Sequence, residues 1–185
     1  MQTKPPGEFE YATAAAAIAS LHLEDINQQL ADYWLSLWDG NELPARSTFN
    51  PAKVKSFLPS LLMFDVVLDR SVTVRLAGTG FAIVLGSELT GKDWLALAPD
   101  SHRTTRLHLF STVARGAVLM AHRRLRLLTG QDFISEEILL PFAGDGHGTH
   151  QVLVHVNWKS GQAQKIASVS QVLGDPIDHK MVSLR

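Results

Sequence analysis

The sequence predicts an α+β fold, in which an antiparallel β-sheet carries helices on one face and an extra helix precedes it. Five segments alternate apolar and polar residues with the period of a half-buried strand, at 61–68, 72–79, 118–128, 133–142 and 151–158. A short turn containing aspartate lies between the first and second segments, and turns containing glycine lie between the third, fourth and fifth segments. The strands within each of these two groups are therefore predicted to form hairpins. Between the two groups, residues 92–97 and 101–114 are predicted to be helical.

The N-terminal region divides into two parts. Residues 1–20 contain two prolines and a glycine near their start, and we expect a flexible arm. Residues 21–42 are the predicted N-terminal amphipathic helix, because their apolar side chains recur at helical spacing and an Asp-Gly-Asn stop follows. Trp34 and Trp38 share one face, which either packs on the domain or forms a contact between two copies of the chain.

Composition is typical of one compact domain and excludes several functional classes. The chain has 185 residues, of which 45% are hydrophobic and 19% charged. A net charge of −1 provides no field that would attract nucleic acid. Because cysteine is absent, disulfides, cysteine-ligated metals and thiol nucleophiles are excluded. The N-terminus lacks a basic segment followed by an apolar run, so we expect no membrane span and a cytoplasmic location.

Symmetric pairing about each turn predicts which side chains face each other. In the first hairpin Asp65 lies opposite Arg75, and in the second Arg124 lies opposite Glu137. Across the glycine-rich loop, Glu137 lies opposite His155. We expect these opposite charges to share one face of the sheet and to fix the register. The other face is almost wholly aliphatic and is expected to lie under the helices.

Two charged residues, Arg123 and Glu136, fall into the phase of the aliphatic face. Burying a charge is unfavourable unless the charge is paired. Three explanations stay open: both side chains reach water at the sheet edge, they meet each other, or they contact a polar ligand.

Three stretches carry an ordered series of short motifs. Residues 34–46 have the sequence WLSLWDGNELPAR, residues 50–66 have NPAKVKSFLPSLLMFDV, and residues 75–91 have RLAGTGFAIVLGSELTG. A tryptophan helix, LP-x-R, a short helix ending in LP, RLAGT and LTG thus follow one another. This series resembles the short, stand-alone bacterial branch of the PAS sensory-domain family, over roughly 33–158.

The resemblance implies a sheet with strand order 2-1-5-4-3 in a PAS-like domain at 43–158, followed by a C-terminal tail at 159–185. PAS domains usually bind a small molecule or a partner and report that event, and they rarely catalyse reactions. The chain lacks the cysteine that flavin-adduct and thioester-chromophore PAS sensors need.

The resemblance also implies a ligand cavity between the aliphatic face and the helices. Candidate ligand-binding residues are Phe81, Trp94, Phe110, Arg123, Glu136 and Val154. The expected ligand is small and mostly apolar, with one carboxylate or phosphate. No cofactor is assigned. In some PAS domains a helix histidine holds haem, and His108 is the candidate for that role here. The simpler interpretation is that His108 is a partly exposed side chain without a cofactor.

No catalytic or metal-binding residue is predicted. The Gly78-Thr79-Gly80 segment fits neither of the glycine patterns that bind nucleotides. His147 and His150 lie in a glycine-rich loop without a carboxylate at fixed spacing, which is weak support for a metal site.

We therefore expect a sensory or interaction module of bacterial signal transduction rather than an enzyme. Residues after 158 fit no kinase, cyclase or DNA-binding motif. Output would then pass to a partner signalling protein, or through a homodimer formed by the N-terminal helix. The alternatives are a ligand-free structural dimerisation module and, less favoured, an enzyme on the same scaffold.

Overall fold

A computed structural model describes residues 9–40, 42–158 and 176–185. Its strands are β1 (Leu61–Val67), β2 (Ser71–Ala77), β3 (Ala117–Arg126), β4 (Asp132–Pro141), β5 (Thr149–Asn157) and β6 (Asp178–Ser183). They form one antiparallel sheet in the order β2-β1-β5-β4-β3-β6. The predicted order 2-1-5-4-3 is confirmed, and β6 adds a sixth strand beside β3.

Helices cover both faces of the sheet. They are α1 (Tyr11–Leu21), α2 (Asp25–Leu35), α3 (Thr79–Leu85) and α4 (Asp100–Ala114), and three short 3-10 turns lie at Arg46–Thr48, Pro51–Val54 and Leu58–Ser60. Helices α1 and α2 pack over β3, β4, β5 and β6, whereas α4 crosses the opposite face. The two largest apolar clusters of the described residues therefore lie on opposite sides of the sheet, and both faces of each central strand are buried. A small third cluster is formed by Val84, Leu125 and Leu127.

The predicted flexible arm over 1–20 is helical from Tyr11 onwards. The buried residues of α1 follow the helical spacing of an amphipathic face, namely Ala14, Ala17, Ile18 and Leu21. His22 ends α1 in the left-handed conformation with φ 56°, so the second helix begins only at Asp25. The predicted single helix over 21–42 is therefore shorter than expected, and the first eight residues of the chain lie outside the described residues.

Helix α2 packs on its own domain. Leu30 and Trp34 are fully buried, and the Trp34 Nε1 donates a hydrogen bond to the carbonyl of Pro141 at 3.0 Å. Trp38 contacts the ring of Trp34 edge-to-face, with 5.6 Å between ring centroids. The apolar surface that suggested self-association is thus covered within one chain.

Two other segments differ from the prediction. Part of the predicted C-terminal tail is strand β6, and residues 159–175 of that tail lie outside the described residues. Residues 92–97 do not form a helix, because 92–94 pair along the outer edge of β2 and 94–97 form turns. Val74 N–H donates to the Lys92 carbonyl at 3.0 Å, and Trp94 N–H donates to the Val72 carbonyl at 2.8 Å.

The first hairpin has a different register from the one predicted. Asp65 lies opposite Thr73 rather than Arg75, because the pairing starts at the turn with Val67 opposite Ser71. An irregularity between Met63 and Phe64 shifts the register by one more residue farther along the strand. The Arg75 guanidinium still reaches Asp65 diagonally, with 3.2 Å between Nη1 and Oδ2. The predicted ion pair therefore forms, although its two residues are not direct cross-strand neighbours.

The second hairpin also differs, and here the difference changes which face each side chain occupies. A three-residue turn ends at Gly130, whose φ of 86° suits glycine, and Leu127 N–H donates to the Gln131 carbonyl. Arg124 consequently lies opposite Ile134 and not opposite Glu137. A shift by an odd number of residues moves every side chain of a strand to the other face relative to its partner.

The predicted pairing of Glu137 with His155 is also wrong. His155 lies opposite Ile138, one position away, and therefore faces the opposite side of the sheet from Glu137.

Candidate functional site

A cavity lies between the sheet and helices α3 and α4. Phe64 of β1 is at its centre and makes edge-to-face contacts with Trp94 and Phe110, with ring centroids 5.1 and 4.8 Å apart. Phe81 of α3 closes another side. The remaining apolar lining comes from Leu62, Leu109, Leu119, Leu139, Val154, Val156 and Pro176. The cavity wall is therefore mostly aromatic and aliphatic.

Polar side chains enter this apolar cavity from two sides. His102, Thr105 and Arg106 project from α4, where they lie within just over one turn of each other. Arg106 is buried, and its guanidinium lies over the Trp94 ring at 5.1 Å.

From the sheet side come Arg123 of β3 and Glu137 of β4, whose Nε and Oε1 atoms are 2.7 Å apart. Their side chains are 14% and 8% exposed, so this ion pair is largely shielded from solvent. The cavity thus holds two arginines, one histidine and one carboxylate.

The cavity is small. Its volume is about 50 Å³. This is room for roughly four water molecules. Sites that enclose drug-sized ligands are several times larger, at roughly 300–1,000 Å³. Only a molecule of a few non-hydrogen atoms fits without rearrangement of the walls.

Five of the six residues predicted to bind a ligand line this cavity. They are Phe81, Trp94, Phe110, Arg123 and Val154. Glu136 does not, because the register of β3 and β4 places its side chain on the face covered by α2. The carboxylate in the cavity belongs to its neighbour Glu137. Sequence reasoning also missed Arg106 and His102, since only the spacing along α4 could have indicated that they share a face.

Glu136 instead belongs to a buried polar network beneath α2. Asn27 is fully buried, and its Nδ2 donates to Glu136 Oε1 at 2.7 Å. The backbone N–H of Glu24 donates to the same oxygen at 3.0 Å. The other carboxylate oxygen lies 3.5 Å from His122 Nε2, and His122 Nδ1 lies 2.7 Å from Asp178 of β6. The carboxylate of Glu136 therefore connects α2, β3 and β4.

The network continues from Asn27 to His155 and Ser60. Because a carboxylate only accepts, the Asn27 amide turns its Nδ2 toward Glu136 and its Oδ1 toward His155. His155 Nδ1 then donates to that oxygen across 2.5 Å, so its Nε2 is the acceptor for the Ser60 hydroxyl at 2.9 Å. Burial lowers the pKa of His155 to about 4, and the ring is therefore neutral near pH 7.

Ser60, His155 and Asn27 are in the contact order of a nucleophile, a base and an orienting group. However, His155 is only 2% exposed and its pKa is far below neutrality. A base of that pKa is a weak proton acceptor for a serine hydroxyl at pH 7. These contacts satisfy buried polar groups, as an ordinary core network does.

The other candidates from the sequence are placed away from the cavity. His108 is exposed on α4 and does not line the cavity, whereas His102 on the same helix does. His150 is near Asp145, and burial lowers its pKa. In the described ranges, no group of three or more His, Asp or Glu side chains could hold a metal ion. Within those same ranges, no helix is long and apolar enough to cross a membrane.

Comparison with known sequences gives one family match. The model of a family described as PAS domain matches residues 23–156, which is more than half of the chain. Among curated proteins, no sequence matches the chain significantly.

Several solved structures are similar in part. A fungal LOV domain photoreceptor shares 17% identity at a TM-score of 0.37, covering 53% of this chain and 72% of that one. The PAS domain of an HTR-like protein from Haloarcula marismortui shares 15% identity at a TM-score of 0.36, covering 57% and 88%. An RNA-binding light-oxygen-voltage receptor shares 11% identity at a TM-score of 0.38, covering 79% and 47%.

Proposed function

We propose a specific role for this chain, which belongs to the PAS domain family of sensory and signalling modules. In this proposal, the cavity under α4 binds a small organic anion, and its occupation is reported to the helices on the other face of the sheet. The observation that carries the proposal is the shielded Arg123–Glu137 pair, which joins Arg106 in a mostly apolar cavity.

The charges of the cavity favour an anion. Two guanidinium groups and one carboxylate line it, so donors that suit an anion predominate among these charged groups. Charge-assisted hydrogen bonds are stronger when water is excluded, and a guanidinium presents a planar fork that matches a carboxylate. A carboxylate ligand would compete with Glu137 for Arg123.

The volume of the cavity limits the size of the ligand. Space for roughly four water molecules accommodates a short-chain monocarboxylate, with its apolar end against Phe64 and Val154. A flavin, haem or nucleotide exceeds this space.

Strand β4 offers a route by which occupation could be reported. Glu137 faces the cavity, and the next residue along the strand, Glu136, holds Asn27 and the N-terminus of α2 on the other face. A ligand that displaces Glu137 from Arg123 would move β4 locally. That movement would change the hydrogen bonds that attach α2 to Glu136. The contacts of α2 would then differ between the ligand-free and ligand-bound states, as a reporting mechanism requires.

The proposal is tested by thermal unfolding with a series of monocarboxylates from formate to pentanoate. A carboxylate that binds the native state raises the melting temperature, and the rise grows with the ratio of its concentration to its Kd. Arg123→Gln should abolish the rise, whereas Arg124→Gln should keep it, because Arg124 is the exposed neighbour on the other side of the strand. Val154→Leu, which adds one methylene group to the cavity wall, should shift the preference toward shorter carboxylates.

A ligand-free interaction module is the second candidate, and the small cavity volume supports it. In that case the chain would act in bacterial signalling only through a partner signalling protein or a homodimer. A melting temperature that no carboxylate raises would favour this candidate. Because Leu30 and Trp34 are buried, a homodimer through the N-terminal helices would have to use other side chains, such as the half-exposed Tyr11 of α1.

A further inference from the structure

A second depression, here named the corner cleft, lies on the sheet face that carries α1 and α2. These helices pack over β3, β4, β5 and β6 and leave the corner formed by β2, β1 and the end of β5 open. The 3-10 turn at Arg46–Thr48 borders this corner. The corner cleft has a polar part and an apolar part, and Arg46 lines both of them.

The apolar part has a volume of about 420 Å³. Phe49, Met63, Leu76 and Leu153 contribute to its walls. Leu76 is 50% exposed, although its neighbours Met63 and Leu153 on the same sheet face are buried. Water therefore reaches apolar surface that the fold leaves uncovered.

The polar part has a volume of about 490 Å³, and both of its carboxylates already have internal donors. Asp65 accepts from Arg75 and, at 2.8 Å, from Gln151 Nε2. Asp145 accepts from the backbone N–H groups of His147 and Thr149, and these two donors lower its pKa. Both carboxylates therefore accept hydrogen bonds from groups other than Arg46.

Among the described residues, Arg46 has no carboxylate as an ion-pair partner. Its guanidinium lies over the Phe49 ring at 5.2 Å. Within the described part of the chain, its Nε is buried without a hydrogen-bond acceptor, and no carboxylate lies within ion-pair distance of the side chain. The Arg46 side chain as a whole is only half-buried and lines both parts of the corner cleft, so an acidic group that enters the cleft meets a guanidinium without an ion pair among the described residues. Lys55 adds a second positive charge at the apolar part.

We infer that the corner cleft docks a segment of a partner protein in which an acidic side chain lies near a large apolar one. The carboxylate pairs with Arg46, and the apolar side chain covers Leu76 and Met63. The cleft is open along one side, as the exposure of Leu76 shows, whereas small-molecule sites enclose most of their ligand. An extended or helical segment spans both parts at once and uses the charge as its anchor.

The inference is independent of the cavity under α4. Met63 and Phe64 are consecutive residues of β1 and face opposite sides of the sheet, so the two sites lie in different layers. The corner cleft can dock a partner whether or not the cavity holds an anion.

Fluorescence anisotropy with defined peptides tests the inference on the full chain. The probes are labelled, end-blocked Gly/Ser peptides that carry one Leu-Phe pair and one Glu at several spacings, each with a matched Gln peptide. We expect at least one Glu peptide to bind about tenfold more tightly than its Gln counterpart. Arg46→Met should remove that preference, and Leu76→Ser should weaken both peptides. Arg70→Met, which removes an exposed cation at the β1–β2 turn, should change neither.

Equal binding of the Glu and Gln peptides, or a preference that survives Arg46→Met, would overturn the inference, as would no binding of any peptide. Thermal unfolding checks that each variant is folded, and Arg46→Lys, which keeps the charge, should retain part of the preference. If the chain dimerises and Leu76→Ser makes it monomeric, the occupant is a second copy and the inference is wrong. Binding to phosphatidylglycerol vesicles that Leu76→Ser abolishes would assign the corner cleft to a lipid surface instead.

Discussion

Glu136 and Glu137 are consecutive residues of β4 that are both buried and point to opposite faces of the sheet. Glu137 pairs with Arg123 in the cavity under α4, and Glu136 accepts hydrogen bonds from Asn27 and Glu24 at the start of α2. Two buried carboxylates on one strand are unusual, because each needs its own set of donors. Here they connect the cavity to the helical layer on the other side through a single peptide unit.

The Arg123–Glu137 pair should contribute more to stability than an exposed pair in the same hairpin. We expect a double-mutant cycle of Arg123→Met and Glu137→Gln to give a coupling free energy of about 1–3 kcal/mol from urea unfolding. The matched control is the cycle of Arg126→Met and Asp132→Asn, a bidentate but solvent-exposed pair whose coupling should be smaller because of screening. Equal coupling in the two cycles would contradict the shielding of the cavity pair.

Asn27 should be a major determinant of how α2 is attached. Asn27→Ala removes the donor to Glu136 and the acceptor for His155, and leaves a buried carboxylate with fewer partners. We expect a loss of about 1–3 kcal/mol in the free energy of unfolding, despite the better helix propensity of alanine. Gln29→Ala on the exposed side of α2 is the control and should be neutral or slightly stabilising. A similar effect of both substitutions would show that the network is not important for stability.

Stability should fall as the pH is lowered from about 6.5 toward 4. In the unfolded chain His155 takes up a proton near its ordinary pKa of 6.5, whereas burial lowers its pKa to about 4 in the native state. Between these values the unfolded state binds more protons, so acid favours unfolding, by at most about 3 kcal/mol for this group. His155→Gln should flatten the dependence over this window. An unchanged slope of unfolding free energy against pH would mean that His155 is not held neutral.

Gly78 should be intolerant of a side chain. It precedes α3, and a Cβ atom there would lie 2.5 Å from the Pro59 carbonyl oxygen and also against the backbone oxygen of Leu58. Backbone cannot move aside as a side chain can, so we expect Gly78→Ala to cost more than about 3 kcal/mol in urea unfolding. Gly130→Ala, at φ 86° but with open space around it, should cost only about 1 kcal/mol. A larger effect at Gly130 would contradict the close approach at Gly78.

The sequence predicted the five main strands because their alternation is a local property, and the resemblance to PAS domains supplied their order. It failed at α1, where alanine gives a weak hydrophobic signal, and at β6, a short and mostly polar strand whose partner β3 is distant along the chain. The pattern of α2 was recognised, but which surface it covers depends on tertiary packing. Whether its tryptophans faced the domain or another copy could not be decided locally.

The candidate site was predicted in part, and the error at Glu136 has one cause. The register of β3 and β4 depends on the length of the turn at Gly130. The predicted partner of Arg124 was Glu137, three residues beyond the observed partner Ile134. Because three is an odd number, this error exchanged the sheet faces assigned to Glu136 and Glu137. Aromatic and aliphatic residues such as Phe81 and Val154 line the cavity because strand and helix phase alone places them there, and their contact with a ligand stays a prediction. Asn27 gave no signal, since a single asparagine in a helix is ordinarily exposed.

The proposed sensing role is tested most directly by amide hydrogen exchange. The exchange is measured with and without the carboxylate that gives the largest rise in melting temperature. The account predicts that binding changes exchange in β4 and also in α2, on the far side of the sheet, and that Arg123→Gln removes both changes while Arg124→Gln keeps them. A change confined to α4 and the cavity wall, with α2 unaffected, would contradict the connection through Glu136 and Glu137.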